Sequence, residues 1–207
     1  MKKEILFWNV DTQVDFVEPD GKLYVPGAEK LKPLWADIVD FAKVNDIRVV
    51  NTADFHHPDS AELSYQPDFI STFPEHCMSN TRGAEYVDET NPIDPFIVDW
   101  DKEFDAIDAL MENRNIVIRK DAFDVFSGNP YTNKIVEKLQ PQTVVVFGVT
   151  TNVCVNDAVI GLVKRVNRVI VLEDATKELP KIPMPFDHWK KLGVEMMTFS
   201  ELTEILK

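Results

Sequence analysis

Thr143-Val144-Val145-Val146-Phe147-Gly148-Val149-Thr150-Thr151-Asn152-Val153-Cys154-Val155-Asn156-Asp157 reads as a buried strand, a glycine-led turn and the first turn of a helix. Val144 to Phe147 is a continuous apolar, β-branched run, the pattern of a central parallel strand covered on both faces. Gly148 is expected to end it, and Thr151 or Asn152 to cap the helix. Ala158, Val159, Leu162 and Val163 then recur along one apolar helical face. Cys154 falls just inside that helix, where unpaired backbone N–H groups and the positive end of the helix dipole favour a thiolate. A lone cysteine beside a core strand is more often a buried structural residue. Partners elsewhere in the chain decide between the two readings.

Around this stretch the chain alternates. Strands are expected over residues 4–10, 47–52, 96–98, 116–118, 168–172 and 194–199. Helices are expected around Leu31 to Val39 and Ala106 to Met111, and over 132–139, 186–192 and 201–206. That alternation predicts an α/β fold with a mostly parallel sheet and helices on both faces. At 207 residues, with no linker or composition break, a single domain over 1–207 is the simplest reading. Hydrophobic content of 44% and charged content of 28% are those of a soluble globular chain, and no apolar run reaches membrane-spanning length. A net charge of −13 argues against a nucleic-acid surface. The first residues run into a strand pattern rather than a secretory signal core. Two cysteines make no disulfide framework, so a reducing cytoplasm is the expected location.

Three residues follow strands that should be parallel, so they should emerge at one edge of the sheet. Asp11 closes the first strand, as a catalytic carboxylate or as a turn-capping residue. Lys120 closes the strand at 116–118, as a surface charge or as a cation holding a carboxylate and a thiolate ionised. Cys154 is the third. An acid, a cation and a thiol at one edge make a nucleophile site.

A second cluster lies in the loop after the strand at 47–52. Three of the four histidines fall there, amid acids. Asp54-Phe55-His56 in extended backbone puts the first and third side chains on one side. With Glu62 and His76 they would form a set of two imidazoles and two carboxylates, suited to Zn²⁺, Fe²⁺ or Mn²⁺. His57 and Cys77 are rival ligands that spacing does not exclude. The acidic connection over 83–95 reads as solvated.

The pieces Asp11-Thr12-Gln13-Val14-Asp15-Phe16, Asp54-Phe55-His56, Pro67-Asp68-Phe69 through Phe73-Pro74-Glu75-His76-Cys77, Arg119-Lys120-Asp121-Ala122-Phe123 and Gly148-Val149-Thr150-Thr151-Asn152-Val153-Cys154-Val155 run in this order over nearly the whole chain. In them the sequence resembles the isochorismatase-like cysteine hydrolases, and within that family the nicotinamidases. The resemblance implies a Rossmann-like three-layer α/β/α fold and an Asp11–Lys120–Cys154 triad. In it Cys154 is the nucleophile, Asp11 takes its proton and Lys120 supports the charge. It implies a cis peptide between Val149 and Thr150, with the N–H groups of Thr150 and Cys154 forming an oxyanion hole. It also implies one divalent metal ion, zinc with iron or manganese as alternatives, held by Asp54, His56, Glu62 and His76 and orienting a pyridine ring between Phe16 and Phe73. Glu62 stands where many relatives carry a third histidine. The implied activity is conversion of nicotinamide to nicotinate and ammonia for NAD salvage, by an enzyme that often forms homo-oligomers. Its partner is a small-molecule carboxamide, with no nucleic acid and no membrane. A related amidohydrolase of another carboxamide, carbamoyl or ureido compound is the nearest rival. A non-catalytic binding protein on the same fold is a more distant one.

Overall fold

The structure is a computed structural model that describes residues 5–112 and 114–206. Its strands are β1 (Ile5–Val10), β2 (Arg48–Asp54), β3 (Phe96–Val98), β4 (Asn115–Lys120), β5 (Thr143–Val149), β6 (Arg168–Lys177) and β7 (Glu195–Met197). Its α-helices are α1 (Val14–Val17), α2 (Lys32–Val44), α3 (Val125–Gly128), α4 (Thr132–Leu139), α5 (Cys154–Val163), α6 (Phe186–Lys191) and α7 (Phe199–Ile205). The expected first strand begins at Glu4, which lies outside the described residues.

All seven strands pair in parallel, in the order β3-β4-β2-β1-β5-β6-β7. The chain builds outward from β1 on one side, then crosses to β5 on the other. The crevice at the carboxyl ends of β1 and β5 is therefore the switch point where such sheets take their ligands. Alternation along the strands divides the core in two. Leu6, Trp8, Val10, Val144 and Val146 face α3, α4, α5 and α6. Phe7, Val145, Phe147 and Ile170 face α1, α2 and α7. This is the two-sided cover that the run from Val144 to Phe147 predicts.

Packing rather than capping fixes the long helices. Neither α2, α4 nor α5 has a side-chain N-cap hydrogen bond, a contribution of about 1 kcal/mol each. Fully buried Ile38, Ile135 and Leu162 each contribute roughly 1.5–3 kcal/mol. Two of the buried tryptophans satisfy their polar atoms: Trp35 Nε1 donates to Ala175 O at 2.9 Å and Trp189 Nε1 to Asn156 Oδ1 at 3.0 Å, whereas Trp8 Nε1 is buried without a partner.

Several local expectations are corrected. The fifth strand does not stop at Gly148 but runs to Val149, in unbroken register with β1 up to Gly148; the irregularity beside it lies in β6, which runs from Val171 to Thr176 while β5 runs from Val146 to Gly148. Neither Thr151 nor Asn152 caps α5, whose N-cap position is Val153. The helix expected around Ala106 to Met111 is only a 3₁₀ turn, Ala109–Glu112, with Leu110 its buried residue. The connection over 83–95 is not wholly solvated: Val87 and Thr90 are buried, and the Thr90 hydroxyl meets that of Thr12 at 2.7 Å.

Candidate active site

Four adjacent strands, β4, β2, β1 and β5, deliver charged or nucleophilic groups to one spot. Lys120 is the last residue of β4, Asp54 the last of β2, Asp11 follows β1, and Cys154 opens α5 just beyond β5. Lys120 Nζ lies 3.0 Å from Asp11 Oδ2 and 4.0 Å from Cys154 Sγ, and it also contacts Asp54 Oδ1. One oxygen each of Asp11 and Asp54 and the Cys154 sulfur all fall within 4.8 Å of one another. Asp11 has a positive φ of 48°, uncommon for a residue other than glycine, and the Thr52 hydroxyl donates to its Oδ1 at 2.6 Å. The expected triad is thus assembled in space, with all three members buried.

Its electrostatics follow from burial and one shared cation. Burial pushes the Asp11 carboxyl up to about 6, against the pull of Lys120. Burial opposes ionisation of Asp54 as well, but there the adjacent Lys120 and the two histidines prevail and hold it well below the usual carboxylate range. Lys120 is raised despite its own desolvation, because Asp11 and Asp54 flank it. Burial raises the Cys154 thiol, and Lys120 offsets this only in part. The helix start therefore does not by itself yield the thiolate that the sequence suggests. A carboxylate able to accept the thiol proton, that of Asp11, has an oxygen within 4.8 Å of the sulfur.

The turn before Cys154 supplies a second device. The Val149–Thr150 peptide bond is cis. Around it the N–H groups of Thr151, Val153 and Val155 all donate to backbone carbonyls. Among the described residues, those of Thr150 and Cys154 have no such acceptor. Two backbone donors, one on Cys154 itself, are thus left without a backbone acceptor.

Asp54, His56, Glu62 and His76 are buried and bring one ligand atom each within 4.8 Å of the others. His76 Nε2 lies 3.6 Å from Asp54 Oδ2 and 3.7 Å from Glu62 Oε1, while His56 Nε2 lies 4.0 Å from Glu62 Oε1. These are separations between ligands facing a common centre rather than hydrogen bonds. The opposite edge of each residue is engaged. His56 Nδ1 meets Asp121 Oδ1 at 3.1 Å, His76 Nδ1 meets Pro74 O at 2.7 Å, and Phe123 N donates to Glu62 Oε2 at 2.7 Å. Asp54 Oδ2 and His56 Nε2 are buried without any hydrogen-bond partner. Orphaned donor atoms aimed inward and backed by outer hydrogen bonds are what a divalent cation needs. Burial beside Asp54 also pushes Glu62 up to about 7, a shortage of positive charge that a cation would relieve.

Of the rival ligands, His57 turns away toward Asp101, 3.5 Å from its Oδ2. Cys77 is buried, but its backbone is what reaches the site: its carbonyl accepts from His56 N at 3.1 Å and its N–H donates to Asp15 Oδ2 at 2.7 Å. Phe16 and Phe73 both line the chamber beside Cys154, with ring centroids 5.3 and 6.3 Å from that of His76.

Sequence reading missed the residues that brace these groups. The Gln13 amide donates to Asp54 O at 2.7 Å and accepts from Asp54 N at 2.8 Å, pinning the end of β2. Ser60 donates to Asp121. Asn152 ties its turn to the loop after β6. Only Asp121, adjacent to Lys120, carried a positional hint.

A family model described as the isochorismatase domain matches residues 6–198. Over 197 residues, 84% of this chain and 88% of the relative, the sequence is 27% identical to the nicotinamidase of Saccharomyces cerevisiae. A shorter stretch of 78 residues is 40% identical to the nicotinamidase/pyrazinamidase of Mycobacterium tuberculosis, spanning 37% of this chain and 40% of that enzyme's length. The fold superposes on the zinc complex of the Pyrococcus horikoshii pyrazinamidase with a TM-score of 0.71 at 24% identity, covering 95% of this chain and 99% of the other.

Proposed function

The chain belongs to the isochorismatase domain family, as an amidohydrolase, and on that premise we propose that it is a nicotinamidase, releasing ammonia from nicotinamide and returning nicotinate to pyridine nucleotide synthesis. The observation that carries this reading is the buried Asp54/His56/Glu62/His76 set, joined to Cys154 through Lys120. A simple cysteine amidase has no use for inward-facing metal ligands beside its nucleophile. A pyridine substrate does, because its ring nitrogen is a ligand.

Asp11, ionised, takes the proton of the Cys154 thiol, and Lys120 stabilises the charge that passes between them. The thiolate attacks the carboxamide carbon. The oxygen that becomes negative is met by the N–H groups of Thr150 and Cys154, a donor pair of the kind whose members contribute about 3 kcal/mol each. Collapse breaks the C–N bond, and Asp11 returns its proton to the leaving nitrogen, giving ammonia and an acyl-thioester. Water then loses a proton to Asp11 and adds to the thioester. The sulfur departs, nicotinate is released, and Asp11 restores the thiol proton. Phe16 and Phe73 flank the ring. A divalent ion held by Asp54, His56, Glu62 and His76, zinc on this reading, supplies a Lewis-acidic point for the pyridine nitrogen.

Ammonia release from nicotinamide and from benzamide, which lacks the ring nitrogen, tests the proposal. Zinc-loaded enzyme should turn over nicotinamide far faster than benzamide, and chelation should abolish the difference. No ammonia from nicotinamide in the presence of metal, with release from a carbamoyl or ureido compound instead, would overturn it.

A further inference from the structure

We infer that substrate reaches Cys154 from an outer cleft through a seam that Asn152 holds shut, which makes Asn152 a positioning residue that sets the size of amide admitted. This rests on the nicotinamidase reading only in the identity of the amide.

The chamber bounded by Phe16, His76, Thr150 and Cys154 has a free volume of about 10 Å³. That is room for about one water, and a six-membered ring needs several times more. Beside it lies a cleft of about 790 Å³, large enough for a small-molecule ligand. Phe73, Phe123, Val153 and Leu179 line both spaces. They are the partition between them, so a ring arriving from the cleft must part these side chains.

Leu179 is a member of the partition whose backbone N–H and carbonyl are both held by one side chain. It lies on the loop after β6, which is interrupted by Pro180, Pro183 and Pro185. No residue from 179 to 184 joins a backbone–backbone hydrogen bond to a described residue outside that stretch. Lys181 within it adopts a left-handed φ of 71°, a shape imposed from outside rather than intrinsic to lysine. Besides the apolar packing of Leu179 and Ile182 against the core, the polar restraint comes from one side chain. Asn152 Nδ2 donates to Leu179 O and to Ile182 O, both at 2.9 Å, and Asn152 Oδ1 accepts from Leu179 N at 3.0 Å. Asn152 is 7% exposed and stands two positions before Cys154. The same turn that carries the nucleophile therefore grips the loop that screens it. Three hydrogen bonds released together should raise the open population about tenfold or more.

Cys154 alkylation, assigned by mass spectrometry against Cys77, reads this opening independently of any amide. Rates with iodoacetamide and with the bulkier N-phenylmaleimide are compared at one pH, so that their ratio cancels thiol reactivity. Asn152→Ala should raise the phenylmaleimide-to-iodoacetamide ratio about tenfold or more. Asn152→Asp, which keeps only the acceptor for Leu179 N, should fall between it and the parent. Should Asn152→Ala lose its native circular dichroism, Leu179→Ala, which trims the partition itself, should raise the same ratio. An unchanged ratio in a folded variant, or rates that move in proportion with both reagents, overturns the inference. Failure of the wild-type enzyme to hydrolyse nicotinamide would remove the proposed substrate and leave this ratio untouched.

Discussion

Lys120 Nζ stands 3.0 Å from Asp11 Oδ2 with both side chains buried, and the same ammonium also touches Asp54. One cation thus compensates two carboxylates, one proposed to transfer protons and one in the candidate metal set.

Lys120→Ala should therefore be costly twice over. Removing one partner from a buried ion pair destabilises by about 3–5 kcal/mol, and ammonia release should drop by at least about a thousandfold. Urea denaturation and steady-state kinetics on the same preparation check both. A variant within about 1 kcal/mol of the parent would mean that the pair is solvated and the shared-cation picture wrong.

The pH profile reports on Asp11. On the proposed mechanism it accepts the thiol proton only as the carboxylate, and burial, partly offset by Lys120, pushes its pKa up to about 6. Lowering the pH through 6 protonates it, so kcat/KM should decline toward about tenfold per unit on the acid side. A flat profile between pH 5 and 7 in zinc-saturated enzyme argues for a different base.

Asp121 should matter to the metal without touching it. Its Oδ1 lies 3.1 Å from His56 Nδ1, which leaves Nε2 directed at the ligand cluster. Asp121→Ala should weaken zinc binding by about 10–100-fold, read by competition with a chelator of known affinity and by metal analysis. Asp121→Asn, which retains an acceptor, should lose less. Equal affinity in all three proteins would show that His56 needs no orienting partner.

Gly148 joins the two halves of the site. Its φ is +115°, and an added Cβ would lie 2.1 Å from Val10 O, immediately before Asp11. Gly148→Ala should cost more than about 2 kcal/mol and depress turnover through both Asp11 and Thr150. Near-parental stability by thermal denaturation would mean that β1 can yield at this contact.

Much of this arrangement was legible in the chain. Asp11, Lys120 and Cys154 each follow a short, largely apolar strand run, and parallel strands bring such ends to one edge. Asp54, His56, Glu62 and His76 stood out by chemistry in a single loop. What eluded reading was side-chain bracing across long separations. Gln13 grips the Asp54 backbone 41 residues away, and His56 meets Asp121 65 residues away, pairings that no local pattern encodes. The apolar spacing from Ala106 to Met111 fits a helix, yet only a 3₁₀ turn forms. The acids over 83–95 masked Val87 and Thr90, which pack inward.

The groups that break bonds and the groups that choose a substrate occupy different kinds of backbone. Asp11, Lys120 and Cys154 sit at or beside the ends of paired strands, where one cannot shift without its neighbours. Phe73 and Leu179 sit in loops outside the sheet. Exchanging residues 63–73, or 178–185 with the partners of Asn152 kept, would leave the strand-end groups in place. Evolution or an engineer can therefore retarget this scaffold one loop at a time without first relearning the chemistry.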